Sequence, residues 1–199
     1  MKVNSTNRRI LTQNLYKGEA VLKEFKAEYP YINSNIKYNN IIDRHKNDEK
    51  YWALLPILRG KSVLSGFKIA EMRRMYEESR NKSYFLSKAV KATNTAGCQE
   101  CSILMYNKFS NKGIPAQNVR FAIEQKNGFD TDRNHAFTVI GLDKDAKLSN
   151  PKTWGKNAVI VDGWANIVKR AKDGIEYFKE MFKFDPEKEV CVFGEHRNI

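Results

Sequence analysis

Apolar positions along the chain change their period near Pro115. Before it they recur at helical spacing. Leu15, Ala20, Val21, Leu22 and Phe25 mark a helix from Asn14 to Tyr29, stopped by Pro30. Ile69, Met72, Met75 and Tyr76 mark a second over Phe67 to Ser79, with Ser65 as its cap, and a short third runs from Ser83 to Val90. A fourth runs from Cys98 to about Asn111, where Lys112-Gly113-Ile114-Pro115 ends it. Residues 1–13 are polar and expected to fray. The Asn-, Lys- and Asp-rich stretch from Tyr31 to Lys50 is expected to be loop, with His45 a solvated side chain among charges. Tyr51-Trp52-Ala53-Leu54-Leu55-Pro56-Ile57-Leu58 reads as a core block.

Beyond Pro115 the pattern becomes that of strands. Val119 to Glu124 alternates like a half-buried strand, and Asn127-Gly128 signals a turn. His135 to Leu142 is apolar on both faces, hence a central strand. Ala158 to Asp162 is a second buried strand, and Val190 to Phe193 reads as an edge strand. The segment from Trp164 to Phe182 is predicted to hold one or two helices broken at Asp173-Gly174. Helices first, then a cysteine-bearing helix, then a mostly antiparallel sheet describe an α+β fold. At 199 residues the expectation is a single domain, with residues 1–92 its helical part and 93–199 a helix plus sheet.

Composition narrows the classes. A hydrophobic fraction of 41% and an aromatic fraction of 12% supply a core without disulfide staples. Three cysteines, Cys98, Cys101 and Cys191, are an odd number, which argues against a disulfide framework and for a reducing compartment. The N-terminus lacks the apolar core of a secretory signal, and no run of about 18 apolar residues exists to span a bilayer, so a soluble protein is expected. Thirty-five Lys+Arg against 23 Asp+Glu give a formal net charge of +12, which suits an acidic partner, an anionic membrane surface or nucleic acid. The basic residues are dispersed, and no aromatic-interleaved basic motif is present, which disfavours nucleic acid.

The chemistry-bearing stretch is Thr95-Ala96-Gly97-Cys98-Gln99-Glu100-Cys101, where small and polar residues turn into a helix. Backbone N–H groups at a helix start favour a thiolate. His135 stands at the start of one predicted strand and Asp162 at the end of the next. Antiparallel pairing of His135–Leu142 with Gly155–Asp162 would lay the two side by side. An aspartate there can orient the histidine while the ring's other nitrogen serves a thiol, as in a nucleophile–base–orienter triad. Cys101, nearly one turn deeper, is expected to be buried and inert. Cys98-x-x-Cys101 also imitates a redox motif or half a zinc site, but no second ligand pair better than Cys191 with His196 exists, so neither metal nor cofactor is expected.

Three segments carry a resemblance: Cys98-Gln99-Glu100, Asn134-His135-Ala136-Phe137-Thr138-Val139-Ile140-Gly141 and Val161-Asp162-Gly163-Trp164-Ala165. Together they resemble the papain-like, Cys-His-Asp family of bacterial effector cysteine proteases, glutamine deamidases and transglutaminase-like enzymes. The resemblance covers about 70 residues, from Thr95 to Ala165, and departs from the family at Gly97, where Asn is frequent, and at Gly163, where Pro is. It implies a papain-like fold in which Cys98 is the nucleophile, His135 the general base and acid, and Asp162 its orienter. Oxyanion stabilisation would come from the Cys98 backbone N–H with Asn94 or Gln99 nearby. Glu100 would be a hydrogen-bond acceptor beside the site or only a first-turn carboxylate, and Trp164 a shield over the Asp–His pair or plain core. It further implies a host protein as substrate and delivery into a host cell without a cleaved N-terminal signal. The rival reading is a non-enzymatic basic module that binds nucleic acid or an acidic protein surface.

Overall fold

A computed structural model describes residues 5–32, 41–43, 47, 49, 54–79, 82–125 and 133–195. The chain is α+β and divides into two compact units, Met1–Ala27 with Cys101–Asn198, and Glu28–Glu100 with Ile199. The expected placements of His45, His196 and the Asn127-Gly128 turn, and most of the Tyr51–Leu58 block before Leu54, lie outside the described residues.

The first unit is built on an antiparallel sheet of β1 (Ala116–Gln125), β2 (Asn134–Ile140), β3 (Val159–Asp162), β4 (Ile167–Arg170) and β5 (Glu189–Glu195), in the order β4-β3-β2-β1-β5. β2 is central and buried at every position after Asn134, as its unbroken apolar run requires. One face carries Phe121, Phe137, Val139 and Ile160, which pack with Trp154 and with Ala171, Ile175 and Phe178 of α5 (Ala171–Met181). On Thr138 the side chain instead donates to the Ser102 carbonyl of α4 (Cys98–Asn111), 3.1 Å away. The N-terminal helix α1 (Ser5–Glu28) is tied to the sheet unit where Asn14 Nδ2 donates to the Asn157 carbonyl at 3.0 Å.

The second unit contains α2 (Leu55–Glu78), α3 (Lys82–Thr93) and the first turn of α4. Ile69, Met72 and Tyr76 of α2 and Leu86 and Val90 of α3 are among its buried apolar positions, and the Tyr29 and Ser87 hydroxyls share a 2.8 Å hydrogen bond. α4 is continuous, and the division falls between Glu100 and Cys101.

Three boundaries differ from the sequence expectation. α1 starts at Ser5 rather than Asn14; the residues ahead of Asn14 are mostly polar and carry no apolar period that would have marked the start. α2 starts at Leu55 rather than Phe67, so Ser65 is a buried residue inside the helix and not a cap. Pro56, pre-set to helical φ and short of an N–H, begins it. The Trp164–Phe182 segment is not all helix. Ile167–Arg170 turns back on β3 as β4, and α5 then runs unbroken through Asp173-Gly174. Among the described residues no helix is long and apolar enough to cross a membrane.

Candidate functional site

His135 is the second residue of β2 and Asp162 the last of β3, so adjacent antiparallel strands bring them to one end of the sheet. The register differs from the simple end-to-end expectation. Thr138 pairs with Val161 and Ile140 with Val159, which puts Asp162 level with Phe137, two residues along from His135 on the same face. Diagonal neighbours of this kind are within reach of long side chains, and His135 Nε2 is hydrogen-bonded to Asp162 Oδ2. The other carboxylate oxygen, Oδ1, accepts from the backbone N–H groups of Trp164 (2.8 Å) and Ala165 (2.9 Å), an Asx-type turn that ends β3. With Oδ1 held by two donors, the carboxylate presents Oδ2 to the ring. A carboxylate only accepts, so Nε2 is the donor in this hydrogen bond.

Both side chains are 1% exposed. The His135 ring centroid lies 4.7 Å from Phe178 and 5.2 Å from Trp164, with Phe137 and Phe182 at 6.2 Å. Trp164, itself buried, thus stands over the pair. Gly163 is required by packing: a Cβ there would fall 2.7 Å from Cε1 of Phe25, a fully buried ring of α1. A residue with a side chain at this turn would have to displace that ring.

The candidate nucleophile belongs to the other unit. Cys98 is the first residue of α4 and half-buried, while Cys101 is fully enclosed. Gly97 occupies the cap position, and its N–H donates to Glu100 Oε2 at 2.9 Å, the backward half of a capping box. Glu100, with a side chain 3% exposed, also receives Arg73 of α2: Nε to Oε1 at 2.7 Å and Nη2 to Oε2 at 3.3 Å. Burial disfavours the Arg73 cation. The hydrogen bond and charge of Glu100, with a contribution from Cys98, outweigh it and hold the guanidinium pKa above the ordinary arginine value.

Of the remaining expected residues, Gln99 is half-buried in the first turn of α4. Asn94 is exposed just past α3 with φ 50°, where a left-handed residue closes a helix. Cys191 is half-buried on β5, and among the described residues no group of three or more His, Cys, Asp and Glu side chains is arranged to hold a metal.

The structure therefore joins His135 to Asp162 and joins Glu100 to Gly97 and Arg73. The pattern of residues did not point to Arg73, Phe178 or Phe182. For Glu100 a local signal existed, since Gly97-x-x-Glu100 has the spacing of a cap residue and its third helical position. For the other three no local signal exists, because their partners lie far away in the chain. The chain matches no family model, no curated protein and no solved structure.

Proposed function

We propose that this protein is a thiol-dependent acyl-transfer enzyme of papain-like type that acts on protein substrates. The observation that supports it is the buried His135–Asp162 pair, in which a carboxylate fixed by two backbone donors engages one nitrogen of the imidazole, the arrangement of an orienting acid and a base. In this reading Cys98 is the proton-transfer partner of the base. Nδ1 of His135 takes the thiol proton, and the sulfur attacks a carboxamide or peptide carbonyl. The tetrahedral oxyanion is held by the Cys98 N–H, with Gln99 or Asn94 contributing, while Gly97 N–H is already engaged by Glu100. His135 returns the proton to the departing amine or ammonia, leaving a thioester on Cys98. Water then resolves the thioester to an acid, as in proteolysis or glutamine deamidation. An amine resolves it to a new amide, as in transglutamination. By the resemblance, the substrate is a host protein and the enzyme a delivered bacterial effector, with the +12 charge serving an acidic partner or anionic membrane surface.

The test is iodoacetamide alkylation at neutral pH, with the labelled position read by peptide mass spectrometry. Cys98 should label faster than an unstructured cysteine, and His135→Ala should slow it by an order of magnitude or more. An ordinary rate at Cys98, or a rate indifferent to His135, overturns the reading.

The enclosure of His135 among aromatic rings, at 1% exposure, favours a second reading in which the pair is structural and the chain is a basic binding module. That reading expects association with a polyanion that weakens steeply with salt and survives Cys98→Ala.

A further inference from the structure

In the helical unit, α2 carries a second stripe beside its buried one. The buried face includes Ser62, Ser65, Ile69, Met72 and Tyr76. One position earlier at each step, about 100° round the helix, run Lys61, Leu64, Lys68, Glu71 and Met75, continued by Glu78. This is the alternating three-and-four spacing of a seam between helices. Leu64 and Met75 are 54% and 42% exposed, and Phe67 alongside them is 70% exposed. Lys68, Glu71 and Met75 also line a groove of about 590 Å³ between α2 and α3, whose α3 side includes Phe85, Ala89 and Ala92. The charges along the stripe are not of one sign: Lys61 and Lys68 precede its middle, and Glu71 and Glu78 follow it. An anionic bilayer or an acidic segment laid on it would meet the two carboxylates. The same stripe turned end over end meets its own complement.

We propose that this face of α2 docks a second copy of the chain, α2 against α2 antiparallel, about a two-fold axis passing between Ile69 and Ala70. That midpoint brings Leu64 level with Met75 of the other copy, Lys68 with Glu71 and Lys61 with Glu78, each contact made twice as a closed two-fold pair requires. A parallel arrangement would set each charge against itself. Arg74 already bridges Glu71 and Glu78, at 2.7 and 2.8 Å. Exposed pairs of this kind are worth little, and a carboxylate has acceptor capacity for a lysine as well. The second copy's α2 fills the groove against α3, so that two helices from each copy form a four-helix arrangement. With two of its three layers charged, the seam makes a weak, exchanging dimer. This association does not depend on the thiol chemistry proposed for Cys98.

The experiment is sedimentation equilibrium of the full chain from micromolar to submillimolar concentration, with the fold of each variant checked by circular dichroism. The wild type should be a concentration-dependent dimer. Lys68→Glu and Glu71→Lys each set like charges against one another in the same layer, and each alone should raise the dissociation constant about tenfold or more. Mixed in equal amounts, the two variants should dimerise with each other as tightly as the wild type does with itself, because each supplies the sign the other lacks. The variant carrying both substitutions should likewise regain the wild-type constant, and Leu64→Asp should leave a monomer. A wild type that stays monomeric throughout, whether or not it binds anionic phospholipid vesicles, overturns the proposal. A dimer indifferent to both single variants, or a mixture no tighter than its components, overturns it too. Should one single variant fail to fold, the double variant measured against the other single variant decides.

Discussion

Asp162 and Glu100 are two enclosed carboxylates solved by the same rule and given different partners. Each is 1–3% exposed and each accepts backbone N–H, two for Asp162 and one for Glu100. Burial of a carboxylate is tolerable only with such partners. The remaining acceptor capacity goes to an imidazole in one case and a guanidinium in the other. An imidazole can gain and lose a proton near neutral pH, whereas a guanidinium cannot. The sheet unit therefore pairs its carboxylate with an imidazole, and the helical unit pairs its carboxylate with a side chain of fixed charge. Exposure separates them further, since both members of the His135–Asp162 pair are dry while Arg73 reaches water.

The largest expected effect tests that contrast in hydration. Asp162→Ala leaves His135 enclosed without its partner and two backbone N–H groups without their acceptor. It should cost about 3–5 kcal/mol in urea unfolding, as for other broken buried pairs. A loss below about 1 kcal/mol would mean the pair is not integral to the sheet. Glu100→Ala should cost less, about 1–3 kcal/mol, because the released Arg73 is already partly hydrated. If the two substitutions rank the other way in the same titration, the comparison is wrong.

A third carboxylate sharpens it. Glu189 is ion-paired to Arg133, and its Oε2 accepts from the Asp185 N–H at 2.8 Å. The Arg133 hydrogen bond, then the Asp185 N–H, holds its pKa below the usual glutamate value. A carboxylate depressed in the folded state contributes stability that is present at neutral pH and lost as pH falls through the folded value. Arg133→Met should therefore flatten the acid side of the stability–pH curve, measured by thermal melts between neutral and acidic pH. An unchanged acid limb would remove Glu189 from the account.

The smallest effect concerns the thiols outside the proposed site. Burial pushes the Cys191 thiol up, so it should label more slowly than an unstructured cysteine at neutral pH. Cys101, fully enclosed, should label only after unfolding. Fast labelling of Cys101 in the folded protein would mean that the α4 start is open rather than packed.

What the sequence by itself determined follows from local periods. The α4 boundaries, Cys98 to Asn111, were legible because a run of small residues meets an apolar helical pattern and Gly113 and Pro115 end it. The central and buried strands were legible as apolar runs too short for helices, and His135 and Asp162 stand at the strand ends where those runs begin and stop. β4 was misread as helix because four residues are too few to display a period.

Tertiary structure alone decided the partners. The two-residue offset between His135 and Asp162 depends on how β2 and β3 slide into register, and the approach of Phe178 depends on how α5 lies on the sheet. His135 with Asp162, and Arg73 with Glu100, are each 27 residues apart, well beyond the few residues over which a helix or strand imposes spacing. Their union is set by packing and by the cost of an unpaired buried charge, and neither quantity is written in the residues around them.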